Sequence, residues 1–342
     1  MEYGAIDLHL RRSVIRIIDE DERVRLDRRI ATSRAEFSRV FEGRARMRIV
    51  IESSTESEWV AQHLESLGHE VIVADPNYAP MYGSRSRKVK TDTRDVAAMA
   101  VANRRGIFRR AHRVSRQTRT LRQRLRVRRQ LVRMRSSLIS LLRALLRQDG
   151  ARLPSGSADH VGRRLAQVAV APDVAATLAP LRTMSEQITT TLHTVEEEVE
   201  QRATTDPVAQ QLLTAPGVGP VLALTFQAVM DDPGRFGGDA ARASAFLGLV
   251  PSEYTSAERQ HKGHITKCGP GELRALLVQA SWAVWRSRSA AGAALRTWAH
   301  TLAARRGRRI AIVALARRLT RILYAMWRDH TPFQVRSVPV AA

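Results

Sequence analysis

The sequence predicts a chain of mixed class: an α/β domain, then long helices, then a mostly helical C-terminal domain. Three patterns indicate this class. Strand-like apolar segments alternate with helical ones early in the chain, two long stretches of purely helical periodicity follow, and the last third combines apolar helical stripes with one Gly/Lys/Thr-rich loop. With 342 residues, 44% of them hydrophobic, the chain can form two or three domains. We expect four segments, namely 1–110, 111–205, 206–330 and a short tail, 331–342.

The first segment predicts five strands and three helices. The strand sequences are AIDLH, SVIRII, VRLDRRI, RMRIVIE and EVIVADP, with an acidic turn at 19–22 and a closing Pro76. Helices are expected at about 33–43, at 57–67 and from about Thr91 onward. Three strands in a meander, followed by alternating helix and strand, is the order of an RNase H-like α/β fold.

The second segment contains two long amphipathic helices. Residues 115–147 contain no Pro or Gly and carry an apolar residue at three- and four-residue steps, and a second such stripe spans about 181–202. One interpretation is an antiparallel coiled coil, formed within the chain or between protomers. The other is a solvated helical linker.

Charge is concentrated along the chain. The formal net charge is +23, from 56 basic and 33 acidic residues, and residues 101–150 contain sixteen arginines and one acid, Asp149. Such a surplus predicts a polyanionic partner, which is nucleic acid by default. With Cys268 as the single cysteine, no secretory signal and no bilayer-length apolar stretch, we expect a cytoplasmic protein without a disulfide. The predicted nucleic-acid-binding arginines are Arg113, Arg116, Arg119, Arg122, Arg126, Arg129 and Arg133.

Four carboxylates predict a metal site. Asp7 lies inside an apolar strand and Glu52 ends another, where an unpaired charge is costly to bury. Asp92 and Asp95 are spaced i, i+3, so they share one helix face. Converging carboxylates would hold Mg²⁺ or Mn²⁺. The alternative is that these acids cap turns, with Asp92 opening its helix beside Thr91.

Two further motifs accompany the acids. His9, two residues after Asp7, is either a supporting residue of the site or merely structural. LLTAPGVGPVLAL has helix-hairpin-helix form, in which Gly217 and Gly219 allow backbone amides to approach a phosphate. A plain αα-hairpin is the alternative.

A polar segment near residue 256 offers hydroxyl groups beside basic residues. Lys262, Lys267 and Arg274 suit a phosphate site, although the residue types alone favour a plain loop. Cys268 is interpreted as a small loop residue. The candidate nucleophiles, on chemistry alone, are Ser252, Tyr254, Thr255, Ser256 and Thr266.

Taken together, these segments resemble the IS-one-ten family of insertion-sequence transposases, which includes the pilin-gene invertases. GAIDLHLRRSV, IVIES and VKTDTRDVAAMA resemble that family's RuvC-like DEDD domain and align its four acids with Asp7, Glu52, Asp92 and Asp95. LLTAPGVGPVLAL, RFGG, AFLGLVPSEYTS, GHITKCG and LRALLVQASW resemble its C-terminal transposase domain.

The resemblance implies a DNA recombinase that uses metal-bound acids and a serine, guided by a structured non-coding RNA that pairs with donor and target DNA. The matching serine is Ser256, with Ser252 and Thr255 as alternatives because Ala257 stands where the family commonly has glycine. The implied enzyme is a homo-oligomer, a dimer or tetramer, with a composite site. The competing interpretations are a hydrolytic Holliday-junction resolvase and a non-catalytic binding protein.

Overall fold

A computed structural model describes residues 1–83, 91–256 and 259–335, and of residues 255, 256 and 259–261 it describes the backbone alone. The chain divides into two compact units, Met1–Arg113 and Val114–Ala342. No helix in the described ranges is long and apolar enough to cross a bilayer.

The first unit is a five-stranded mixed sheet with helices on both faces, which confirms the predicted α/β class. The strand order is β3-β2-β1-β4-β5, with β1 antiparallel to β2 and parallel to β4. The elements are β1 (Tyr3–Leu8), β2 (Arg12–Ile18), β3 (Val24–Ala31), α1 (Arg34–Phe41), β4 (Arg48–Glu52), α2 (Ser57–Ser66), β5 (Glu70–Ala74) and α3 (Asp92–Arg105).

Alternation along the central strand assigns its side chains to two cores. Ile6 and Leu8 pack with α1 and α2, whereas Ala5 packs with Val96 and Met99 of α3. Asp7 therefore shares the α3 side of the sheet with Ala5.

Asn103 fixes α3 against the sheet. Its side chain is fully buried, and its amide nitrogen donates to the carbonyls of Gly4 (2.8 Å) and Arg48 (2.7 Å). Arg48 Nε donates in return to Asn103 Oδ1 at 2.8 Å. These bonds join α3 to β1 and β4, the two strands that carry Asp7 and Glu52.

The second unit is mostly helical. Its elements are α4 (Arg116–Gln148), α5 (Val161–Leu165), α6 (Pro172–Thr205), α7 (Pro207–Leu213), α8 (Pro220–Met230), α9 (Ala240–Phe246), β6 (Pro251–Ser256), β7 (Arg259–Ile265), α10 (Gly271–Arg286), α11 (Ala293–Arg306) and α12 (Arg308–Asp329).

The long helices α4 and α6 pack antiparallel within the chain. Leu121 near the start of α4 shares a core with Val199 near the end of α6, and Leu142 shares another with Leu178 near the start of α6. The predicted start of α6 at about residue 181 is wrong. The helix begins at Pro172 and continues through Pro180 despite the cost of an interior proline, about 3 kcal/mol, and Leu178 in this added stretch is buried in the core that it shares with Leu142 of α4.

The expectation of a plain loop near residue 256 is also wrong. Residues 251–256 and 259–265 pair as two antiparallel strands, in which Thr255 is opposite Gln260 and Ser256 is opposite Arg259. Its first four side chains face solvent wholly or in part, so the strand lacks the apolar alternation that reveals a half-buried strand.

Candidate active site

Asp7 and Glu52 lie next to each other on the sheet. β1 and β4 are parallel, with Ile6 opposite Ile51, and the two acids are the next residues along each strand. Both side chains lie on the side that α3 covers, since alternation pairs Asp7 with Ala5 and Glu52 with Val50. Only 8% of Asp7 is exposed, so its carboxylate is largely removed from water.

Asp92 and Asp95 come from the first turn of α3. Thr91 caps this helix, because its hydroxyl oxygen accepts a hydrogen bond from the backbone N–H of Arg94 at 3.4 Å. The cap fixes the helix start at Asp92, so both acids lie at the positive end of the helix dipole. Asp95 is 9% exposed, whereas Asp92 is partly open to solvent.

His9 lies between two of the acids. Its Nε2 is 3.4 Å from Asp7 Oδ2 and 3.6 Å from Asp92 Oδ2. Arg29 Nη2 also contacts Asp92 Oδ2, at 3.1 Å. One ligand atom each from Asp7, His9 and Asp92 lies within 4.8 Å of the others.

The electrostatics of this group favour a bound cation. Burial raises the pKa of the Asp7 carboxyl, His9 lowers it, and the nearby Asp92 and Asp95 raise it further. A divalent cation would compensate both the desolvation and the repulsion between carboxylates. Carboxylate oxygens suit Mg²⁺ and Mn²⁺, so the residues present fit a divalent metal site.

Tyr82 belongs to this site, and sequence analysis missed it. Burial raises the pKa of its phenol, and a hydrogen bond to the Glu52 carboxylate raises it further, with Asp95 and Asp7 also nearby. The tyrosine therefore stays protonated and donates to Glu52. No sequence signal marks Tyr82, because it comes from a short turn after β5 that bears no apolar periodicity. We call Asp7, Glu52, Asp92 and Asp95 the acid cluster.

The hairpin of β6 and β7, here the serine hairpin, carries the predicted nucleophile. Ser256 is the last residue of β6, and Ala257 lies outside the described residues. The Ser252 hydroxyl donates to the His264 carbonyl at 3.0 Å, so it holds the two strands together. Tyr254 is 73% exposed.

Two glycines allow the base of the serine hairpin to pack closely against the end of α9. Gly248 (φ +63°) and Gly269 (φ +70°) adopt left-handed backbone conformations, and a Cβ at either would collide with backbone atoms of Cys268 or Phe246. Cys268 is exposed. Arg274 Nη1 donates to the carbonyls of Leu247 (2.8 Å) and Cys268 (2.9 Å) and so ties α10 to the same base. Of the other predicted phosphate ligands, Lys262 and Lys267 are exposed.

The Gly-rich turn joins α7 to α8. Gly217 has φ +77°, and a Cβ there would approach the Ala280 carbonyl of α10 to 2.7 Å, so helix packing accounts for this glycine. Gly219 precedes α8 as its N-cap and faces open space. Gly217 is exposed and Gly219 is partly exposed, so both glycines predicted to approach phosphate reach solvent.

Several predicted nucleic-acid-binding arginines have intramolecular partners. Arg113 pairs with Glu58 at 3.1 Å, and Arg119 donates to the Val114 carbonyl at 2.7 Å. Arg122 donates to the carbonyls of Ala228 (2.6 Å) and Val229 (3.1 Å), and Arg129 pairs with Glu272 at 2.9 Å. The exposed arginines of the predicted set are Arg116, Arg126 and Arg133.

Two family models match separate parts of this chain. A DEDD transposase model of the IS110 group, described as a transposase, matches residues 5–149, and a model described as the IS116/IS110/IS902 transposase family matches residues 209–296. The first match contains the acid cluster and the second contains the serine hairpin.

Curated relatives extend the likeness along the chain. A probable family 20 transposase of Pseudomonas aeruginosa is 27% identical over 98% of this chain and 99% of its own length. The transposase of insertion element IS1328 from Yersinia enterocolitica is 27% identical over 83% and 85% of the two chains. The IS1111A transposase of Coxiella burnetii is 33% identical over 38% of this chain and 36% of its own. The chain belongs to the IS110/IS116 family of insertion-sequence transposases.

Proposed function

We propose that this transposase is an RNA-guided DNA recombinase that joins a metal-dependent acid cluster in a RuvC-like domain to a serine nucleophile. The observation that carries the proposal is the burial of Asp7, which lies on the central strand of the sheet, beside Asp92 and Asp95 of α3. A buried group of like charges is destabilising without a counter-charge, so its presence favours a cation site. The strand order and the DEDD match support the RuvC-like assignment.

The acids would hold Mg²⁺ or Mn²⁺, which stabilises charge that develops on a phosphate during phosphoryl transfer. Asp7 and Asp92 offer ligand oxygens, with His9 beside both. Glu52 and Asp95 complete the set. Tyr82, protonated, donates to the Glu52 carboxylate and so restricts its orientation.

Ser256 would attack the DNA phosphorus. In this step a bond forms between the serine Oγ and phosphorus, and the bond from phosphorus to one sugar oxygen breaks. The serine proton leaves to a basic group or water, and the departing sugar oxygen gains a proton. The phosphoserine link conserves the phosphoester bond, so rejoining is the reverse exchange and requires no nucleotide cofactor.

Nucleic-acid binding would involve the exposed arginines of α4. Arg116, Arg126 and Arg133 have no acidic partner in the part of the chain that the structure describes. We propose that this helix contacts the phosphates of duplex donor and target DNA and of an element-encoded guide RNA, with the protein acting as a homo-oligomer. Omission of the RNA should then abolish recombination but leave weak, salt-sensitive DNA binding intact.

Charge-neutral substitutions test the acid cluster. Asp7→Asn, Glu52→Gln, Asp92→Asn and Asp95→Asn should each remove strand exchange between element-junction and target DNA, in the presence of the flanking RNA and Mg²⁺. Asp21→Asn is the matched control, because this acid lies in an exposed turn of the same unit. Strand exchange that survives all four substitutions would contradict a catalytic role for the cluster.

The hydrolytic resolvase is not favoured. A resolvase needs the acid cluster alone, whereas the second family match spans the serine hairpin and its surrounding helices.

A further inference from the structure

A second arginine-rich region lies in helices α10 to α12. Residues 273–328 contain twelve arginines and no Asp, Glu or Lys. Arg328, at the end of α12, pairs with Asp329 at 2.6 Å. Six other exposed arginines at or next to helix ends have no ion pair within the described residues, namely Arg286, Arg288, Arg305, Arg306, Arg308 and Arg309.

The junction between α11 and α12 concentrates these charges. A single residue, Gly307, separates the two helices, with φ +84° and open space where a Cβ would point. This tight junction places four exposed arginines within five residues. Uncompensated charge at this density attracts a polyanion.

Aromatic side chains interleave with the arginines. Trp282 and Trp285, spaced i, i+3 on one face of α10, have ring centroids 6.3 Å apart. The Arg308 guanidinium lies 5.6 Å from the Trp282 ring centroid, and the His300 ring stacks on Trp285 at 3.8 Å with an interplanar angle of 28°. Both indoles are partly exposed, Trp285 also packs against the core, and His300 and Arg308 beside them are exposed.

We propose that this arginine–tryptophan face, formed by Trp282, Trp285, His300 and the arginines of the α11–α12 junction, binds unpaired nucleotides. Duplex DNA presents phosphates but keeps its bases stacked, so phosphate binding alone would need only the arginines. Indole and guanidinium planes stack on bases that have left a helix. The combination of exposed guanidinium groups and partly exposed indoles therefore fits a single-stranded segment, in DNA or RNA.

The inference is independent of the proposed chemistry, because it concerns binding and can be tested without metal. Fluorescein-labelled oligo(dT), oligo(U) and a duplex of equal length are titrated with the full-length protein in EDTA, and anisotropy is recorded. Trp282→Leu should weaken single-strand binding roughly tenfold and change duplex binding little, because stacking on the indole is lost. Trp282→Phe should retain most of the affinity, since it keeps an aromatic face.

Charge is tested separately. Arg305→Gln with Arg306→Gln should weaken binding of every probe. It should also make the slope of log K against log salt for single-strand binding shallower, by the equivalent of about one phosphate contact or more. The matched control is Arg39→Gln with Arg182→Gln, which removes the same charge from arginines already paired with Glu36 and Glu186. This control should bind all probes as the wild type does.

Three results would overturn the proposal: unchanged single-strand binding in Trp282→Leu, an equal loss on the duplex, or a Trp282→Phe variant as weak as Trp282→Leu. Stronger binding of oligo(U) than of oligo(dT) would support the site and identify RNA as its source of unpaired nucleotides. Equal or stronger binding of oligo(dT) would support the site with displaced DNA strands as ligand.

Discussion

The acid cluster and the serine hairpin differ in how the chain supports them. Asp7 is 8% exposed on a central strand, and Asn103 ties its strand to the helix that carries Asp92 and Asp95. The serine hairpin is a two-stranded ribbon with an open first strand, held at its base by tightly packed glycines. The difference teaches that the chain builds its acidic side chains into a packed core, where their positions are fixed, whereas the first strand of the serine hairpin has side chains that face solvent wholly or in part.

The largest expected effect is the loss of strand exchange when the acid cluster, the buried member of this comparison, is changed. Asp7→Asn keeps the shape of the side chain and removes its charge, so strand exchange should fall by roughly 10²–10³-fold or more. The melting temperature should stay the same or rise, because a repelled, desolvated carboxylate is removed. A lower melting temperature with activity retained would mean that Asp7 is structural.

The next largest effect is expected at Asn103, which holds α3 against the sheet. Asn103→Ala removes three hydrogen bonds and leaves the Gly4 and Arg48 carbonyls buried without this donor, which should lower the free energy of unfolding by about 2 kcal/mol or more. Strand exchange should fall with it, because α3 loses its register on the sheet. Chemical denaturation and strand-exchange rates measured together check both. Full activity in Asn103→Ala would show that the cluster does not depend on this anchor.

The pH dependence of stability distinguishes the cluster from ordinary surface acids. Because the folded-state pKa of Asp7 is raised, the native state binds its proton more tightly than the unfolded state does. The Asp7 carboxyl therefore lowers the free energy of unfolding progressively as pH rises from the ordinary aspartate pKa to the raised pKa of the folded protein. Above the raised pKa the loss is complete. Thermal unfolding of wild type and Asp7→Asn should agree at low pH and diverge above it, with the variant more stable.

Addition of Mg²⁺ should reverse that difference. A cation that binds only the folded cluster stabilises the wild type by an amount that rises with the logarithm of its concentration above the dissociation constant, and the gain should be absent in Asp7→Asn. Melting curves with and without EDTA at neutral pH measure this. An equal Mg²⁺ response in both proteins would place the metal elsewhere.

The smallest expected effect is in the serine hairpin. Ser252→Ala removes the bond from the Ser252 hydroxyl to the His264 carbonyl and should cost about 1 kcal/mol of local stability, with recombination largely retained. Hydrogen exchange at β6 and β7 reports the local loss. If a folded Ser252→Ala protein no longer recombines DNA, Ser252 and not Ser256 would be the nucleophile.

The sequence predicted the acids better than their surroundings. A carboxylate inside an apolar strand is an energetic anomaly, which is why Asp7 and Glu52 stand out, and the i, i+3 spacing of Asp92 and Asp95 follows directly from helix geometry. Tyr82 and the position of His9 between two acids depend on tertiary contacts that leave no periodic signal.

The arginines show the same limit on a larger scale. Arg122 and Arg129 read as free charges along the sequence, yet their partners, Ala228 and Glu272, lie more than one hundred residues away. Charge counts therefore indicate that a chain binds nucleic acid but not which arginines do so. The serine hairpin was missed for a related reason, because exposed strands lack the alternation that marks buried ones.

The most direct test of the central claim is a search for DNA covalently attached to the protein. Labelled element-junction DNA, flanking RNA and Mg²⁺ are incubated with wild type, Ser256→Ala, Ser252→Ala or Asp7→Asn, resolved on a denaturing protein gel, and the adduct is mapped by mass spectrometry. We expect an adduct on Ser256 in wild type and Ser252→Ala, and none in Ser256→Ala or Asp7→Asn. Cleavage that proceeds without an adduct and is unchanged in Ser256→Ala would contradict the serine mechanism.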